Sequence, residues 1–212
     1  MNVVENLVVN AAVTAAASGA TVDVLDYSRP DNPVCNALSE ITSTSENEFP
    51  ISYSKSSDFR KLIDSLEKLR PNHTNERKRL IMIVGLQNIQ LLESDDSYSP
   101  EPTVTERFAK ILENGPSLGI HFWIWCDSVN SLEKRLKRNL WNQFNWKIFG
   151  QMSESASTYI LDGSGGVQDL KPNQVIIRDE SRGEQNLCLV YDKAPTTWYL
   201  DLIGLNSSDK GE

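Results

Sequence analysis

Two unbroken apolar runs limit what this chain can fold into. Leu80-Ile81-Met82-Ile83-Val84 leads into Gly85, and Ile120-His121-Phe122-Trp123-Ile124-Trp125-Cys126 leads into Asp127. Continuous runs of this kind are expected of strands buried on both faces, which need a layer of helices on each side of a sheet.

The intervening segments supply those helices. Val3 to Val13 carries apolar side chains all round and alanines extend it to Ser18, which predicts a buried helix stopped by Gly19. Thr21 to Asp26 reads as a short strand running into a loop marked by Pro30 and Pro33. Ser56-Ser57-Asp58 can cap a helix whose apolar positions are Phe59, Leu62, Ile63, Leu66 and Leu69. Glu93 to Thr103 is acidic, serine- and proline-bearing and without apolar period, so it reads as a mobile loop. A helix resumes from Thr103 through Val104, Phe108, Ile111 and Leu112, and Gly115-Pro116 stops it.

After the second apolar run come a basic helix from Ser131 to about Leu140, a strand Trp146-Lys147-Ile148-Phe149 and a short helix from Glu154 to Leu161. Gln174 to Arg178 and Asn186 to Tyr191 flank a turn at Glu180-Ser181-Arg182-Gly183, a hairpin at a sheet edge. Helix and strand in alternation, then a hairpin, predict an α/β domain: a mainly parallel sheet with helices on both faces. One domain over residues 1–204, with a polar tail at 205–212, accounts for all 212 residues.

Composition excludes several classes. Hydrophobic residues at 39% and charged residues at 24% are ordinary for a packed protein, and no apolar run reaches the roughly 18 residues of a membrane span. Met1-Asn2 supplies no basic segment of a signal peptide, so a cytoplasmic location is expected. Cys35, Cys126 and Cys188 are far apart with no C-x-x-C pair, and read as buried thiols. A net charge of −8 opposes a nucleic-acid platform spread over the whole chain. His121 reads as a core histidine and His73 lies in a polar stretch, so no metal site forms. Trp123, Trp125, Trp141 and Trp146 read as core, and Gly163-Ser164-Gly165-Gly166 as a plain turn.

Three segments in order resemble the later part of FtsK/SpoIIIE-type DNA translocases, the HerA/FtsK branch of RecA-like ATPases. Leu80 to Leu92 is similar to the Walker B strand and its continuation. Leu118-Gly119-Ile120-His121 through Asp127 is similar to the family's L-G-I-H approach to the next strand. Lys137-Arg138-Asn139, Trp146-Lys147-Ile148, Met152 to Ser157 and Leu161-Asp162-Gly163-Ser164-Gly165-Gly166 are similar to its basic-Asn turn, arginine-bearing strand and L-D-x-x-G stretch. The resemblance implies a RecA-like P-loop NTPase fold, ATP and Mg2+ in the full-length parent, a homo-oligomeric ring and DNA as partner.

The departures are equally informative. A phosphate loop G-x-x-x-x-G-K-[ST] wraps phosphates in backbone N–H groups and neutralises them with its lysine, yet no Gly-Lys pair occurs in this chain. The loop and its strand would lie upstream of the helix at Val3, so the isolated chain should hold no ATP. Their absence should leave an unpaired strand edge and an uncovered Val3 to Val13 helix. Where the family carries the Walker B Asp and Glu, Gly85-Leu86 stands, which can neither orient magnesium nor polarise water.

Gln87 and Asp127 are then the candidates for positioning water. Asp127 has two roles open to it, capping the helix that starts near Val129 or sensing nucleotide at the carboxyl end of its strand. In the basic cluster Lys134, Arg135, Lys137 and Arg138, a solvated helix face competes with a subunit contact. Arg138 and Lys147 are the candidates for reaching a neighbour's phosphates, with Lys147 where the family has arginine. Two functions follow: a translocase motor fragment whose loop lies outside the chain, or a non-catalytic RecA-like scaffold.

Overall fold

In the computed structural model, residues 3–31, 34–43, 50–55, 58–68, 78–93, 101–161, 166–192 and 194–202 are described. In chain order the elements are α1 (Val3–Ala17), β1 (Thr21–Asp26), α2 (Asn36–Ser43), β2 (Ile51–Lys55), α3 (Phe59–Glu67), β3 (Arg79–Val84), α4 (Val104–Asn114) and β4 (Ile120–Trp125). They continue with α5 (Val129–Arg135), α6 (Arg138–Trp141), β5 (Trp146–Phe149), α7 (Glu154–Leu161), β6 (Gln174–Asp179), β7 (Glu184–Leu189) and α8 (Thr196–Leu202).

β2, β1, β3 and β4 form one parallel sheet in that order. Two cores sandwich it. On one face α3, α4 and the α5–α6 segment pack Phe59, Ile63, Phe108, Ile111, Leu136 and Leu140 against Ile81 and Ile83. On the other, α1, α2 and α8 pack Val9, Val13, Leu38, Ile41 and Tyr199 against Val24, Met82 and Val84. The alternation of β3 between the two cores is why its sequence is apolar at every position from Leu80 to Val84. Burial of each such side chain contributes roughly 1.5–3 kcal/mol.

Local signals place the helices. Asp58 caps α3 by accepting from the Arg60 and Lys61 amides, and Thr103 and Glu106 form a reciprocal capping box on α4. Edge-to-face aromatic contacts run Tyr27, Phe59, Phe108, Phe122 with centroids 6.3, 5.1 and 5.7 Å apart, tying α3 and α4 to β4. On the surface Arg107 of α4 bonds both Asp64 (2.6 Å) and Glu67 (2.5 Å) of α3.

Several expectations need correction. Residues 27–55 contain α2 and β2, short elements that the loop reading passed over, and α8 was likewise unforeseen. The basic helix is two helices, because Leu136 is extended (φ −127°, ψ 125°) so that its side chain can enter the core. β5 leaves the parallel sheet and joins the β6–β7 hairpin in a separate antiparallel sheet, order β5-β6-β7, over a small core of Phe149, Leu161, Val167, Leu170 and Ile176. Helix α1 is not apolar all round in effect: Asn10, Thr14 and Ala17 face out, while Val8, Val9, Ala12 and Val13 are covered by the sheet, α2 and α8.

Among the described residues the parallel sheet has two edge strands, β2 and β4. His121 is exposed on β4 rather than core, Trp146 is 63% exposed, and of the thiols only Cys35 is fully buried. Most of the loop at 93–103, the glycines at 163–165, His73 and the tail at 205–212 lie outside the described residues. Among those described, no helix is long and apolar enough to cross a membrane.

The Arg107 clamp makes stability depend on acid. Its hydrogen bonds hold the Asp64 and Glu67 carboxyls below the usual carboxylate range. Their contribution is therefore present above the unfolded carboxyl values, about pH 4, and is lost as pH falls through the depressed folded ones. Arg107→Met should lower the melting temperature by a few degrees at pH 7 and by nothing at about pH 2, in melting curves followed by circular dichroism.

Candidate functional site

The carboxyl ends of β1, β3 and β4 lie side by side, where open α/β sheets hold their ligands. The ladder continues past the strands: the Tyr27 amide donates to the Val84 carbonyl (2.8 Å) and the Gly85 amide to that of Trp125 (3.2 Å). Asn88 then ties the β1 end to the turn after β3, its side-chain amide donating to the Tyr27 carbonyl at 2.8 Å.

Gly85 turns the chain with φ +85°, a left-handed conformation that favours glycine. A Cβ there would sit 3.0 Å from the Ser28 nitrogen and from the Tyr27 carbonyl carbon, both backbone atoms that cannot swing aside. Leu86, next in line, is fully buried in the α3–α4 core. The space a side chain at position 85 would need is thus filled by the backbone leaving β1.

Gln87 and Asp127 do meet. The Gln87 side-chain carbonyl accepts from the Asp127 amide at 3.4 Å, the outer limit of a hydrogen bond. Asp127 is exposed and does not cap α5; Ser128 does, accepting from the Ser131 amide. Sequence reasoning missed Arg135. Of the four basic residues in its cluster it alone is buried, donating to the Gln87 carbonyl (2.9 Å) and to Glu93 (2.7 Å). Its spacing from Leu132 and Leu136 in an apolar-basic segment was the available signal.

The other acids nearby are engaged. Asp26 is fully buried, one oxygen accepting from the Ser28 amide and the other from the Tyr53 hydroxyl, each at 2.8 Å. Burial, with the Asp26 and Glu5 charges, drives the Cys35 thiol far above its ordinary value, and burial chiefly raises Cys126 too. Burial thus disfavours the reactive thiolate at both.

Arg138 and Lys147 come together elsewhere, about the Trp141 ring. The Arg138 guanidinium carbon lies 5.9 Å from that ring's centroid and 4.8 Å from that of Tyr159, and the Lys147 ammonium 5.1 Å from Trp141. Lys147 is held by Glu180 at 2.8 Å with 14% of its side chain exposed, while Arg138 is exposed. Tyr159 donates to Glu133, which raises its phenol above the ordinary value.

Gly85 admits no side chain, Asp26 and Glu93 are already bonded, and among the described residues no three His, Cys, Asp or Glu side chains converge as a metal site would need. What the strand ends offer is an amide, an exposed carboxylate and a pinned guanidinium.

No protein-family model and no curated protein matches the sequence. Solved structures do match in fold. The DNA-packaging ATPase B204 of Sulfolobus turreted icosahedral virus aligns over 89% of this chain and 90% of its own, with TM-score 0.58 and 12% identity. The pCW3 conjugation coupling protein TcpA, determined with ATPγS, aligns over 88% of this chain and 58% of its own (TM-score 0.54, 14% identity). The cytoplasmic domain of the Thermomonospora curvata type VII secretion ATPase EccC aligns over 92% of this chain and 23% of its own (TM-score 0.59, 11% identity). The fold is that of RecA-like P-loop NTPases.

Gly85→Ala combines a left-handed backbone with a backbone collision and should cost about 2 kcal/mol or more. Gly19 has φ +86° but open space around its Cβ position, so Gly19→Ala should cost only about 1 kcal/mol. Urea titrations of the two variants give the comparison, and equal losses would show that the contact with Tyr27 and Ser28 is slack.

Proposed function

We propose that this chain is the sheet-forming part of an FtsK/SpoIIIE-like, ATP-dependent DNA translocase motor, with the phosphate loop outside it and the Walker B position degenerate. The observation that carries this reading is the likeness of fold to a DNA-packaging ATPase over nine-tenths of both chains. The L-G-I-H segment at Leu118 to His121, leading to Asp127 at the carboxyl end of β4, supports it. Relatives in fold were determined with ATPγS and AMPPCP, which supports nucleotide use by the parent.

In such a parent, Gln87 and Asp127 would position water beside a phosphate delivered from outside this chain, with Arg135 fixing the turn that carries Gln87. Arg138 would be the cation offered to a neighbour in a homo-oligomeric ring. Lys147 is a weaker candidate for that role than its sequence position implied, because Glu180 already neutralises it. DNA would be engaged through the parent, since the chain carries −8.

The blocked position at Gly85 favours a second reading, a non-catalytic RecA-like scaffold in a larger assembly. Coding sequence upstream of Met1 separates the two. An in-frame Gly-x-x-x-x-Gly-Lys-Ser/Thr, with ATP hydrolysis by the joined product that duplex DNA stimulates, supports the motor; a joined product that binds ATP without turnover supports the scaffold.

Residues 1–212 alone should bind ATP no more tightly than about 1 mM in calorimetry with magnesium. Micromolar, magnesium-dependent affinity would refute this. In gel shifts at about 150 mM salt the same chain should leave a duplex unbound.

A further inference from the structure

Arg135 is a buried cation whose donors are only partly used. Its side chain is 9% exposed. Nη1 donates to Glu93 at 2.7 Å and Nη2 to the Gln87 carbonyl at 2.9 Å, while Nε, also buried, has no partner among the described residues. A guanidinium carries five N–H groups, and each one left unmet away from water costs free energy.

Glu93, its partner, is placed differently. Its side chain is 62% exposed, it follows one turn of 3-10 helix, Gln90–Leu92, and it meets the guanidinium through one oxygen. A carboxylate that keeps most of its hydration loses little on leaving. Arg135 cannot leave: α5 ends on it, and Leu132 and Leu136 on either side pack into the α3–α4 core. The cation is the fixed member of the pair and the anion the replaceable one.

The surroundings suit an anion. Through Gln87, Arg135 touches the turn after β3, beside Asp127 at the carboxyl ends of the parallel strands, where open α/β sheets hold their ligands. Lys134 and Lys137 are both exposed and add positive potential. Asp127 is the opposing charge, and its exposure to water screens it.

We infer that Arg135 is a receptor for a phosphate group and that Glu93 sits in it as a displaceable stand-in. A phosphate brings three acceptor oxygens and about two charges to a fork on which Glu93 places one oxygen, so it takes the place of the carboxylate. The group is that of free phosphate or of a nucleotide. The inference rests on reading the strand ends as the side of the chain that meets nucleotide, and it adds a cause for weak binding by the intact chain: every anion must first displace Glu93.

Glu93→Gln keeps an oxygen acceptor and removes the competing charge. This variant of residues 1–212 should bind orthophosphate with Kd of about 1 mM, at least ~10-fold tighter than the unaltered chain, followed by the Arg135 Nε–H signal in proton–nitrogen correlation spectra at constant ionic strength. Adding Arg135→Lys keeps the charge without the fork and should abolish the gain. Because the Nε–H signal reports Arg135 itself, the Glu93→Gln result decides the matter even where the double variant fails to fold. Parallel titrations with AMP and ADP assign the source: binding at least ~10-fold tighter than orthophosphate makes the ligand a nucleotide's phosphate, and equal binding makes it free phosphate. Chloride that moves the signal as far as phosphate overturns the inference. So does a Glu93→Gln chain that binds no more tightly than the unaltered one. Hydrolysis by the joined product tests the motor reading separately, so failure of one is told from failure of the other.

Discussion

The structure depends on the backbone of β3 finding partners where water does not reach. Ile81, Met82, Ile83 and Val84 are fully buried, so each amide and carbonyl must bond within the sheet. β1 on one side and β4 on the other meet that demand in register from Arg79 to Val84. The helices follow from the same constraint. A strand buried on both faces needs two covers, and α1 with α2 and α8, and α3 with α4, are those covers.

This explains which parts of the fold were legible in the sequence. β3, β4, α3, α4 and α7 announce themselves through unbroken apolar runs, caps and helical spacing, because their own residues decide their state. α2 and β2 do not. β2 has one strongly buried residue, Ile51, and its pairing with β1 is imposed by a neighbour rather than by its Ser-rich sequence. β5 misled for a similar reason. An apolar tetrapeptide after a helix fits a parallel strand, but the hairpin formed by β6 and β7 offers it an antiparallel place instead. The break at Leu136 is tertiary as well, since burying that side chain outweighs continuing a basic helix.

The candidate site was legible as a place more than as a set of contacts. Strand ends and the Gln87 and Asp127 positions could be read off, and the two do touch. What held Gln87 could not, because Arg135 reaches it from 48 residues away. The glycine at 85 changed meaning. In sequence it reads as a missing side chain, whereas in the structure it is a space used by another segment, the backbone of Tyr27 and Ser28.

The antiparallel sheet of β5, β6 and β7 rests on a core of its own. Leu187, Leu189 and Tyr191 are 62%, 51% and 76% exposed, so little apolar surface fastens β7 itself to the rest. Free energy of opening is set by what an element buries, and this unit buries far less than β3 does. Two elements of unequal strength are the expected consequence. Amide protons of β6 and β7 should then exchange through a partial opening that leaves the parallel sheet intact, and those of β3 only when the whole chain unfolds.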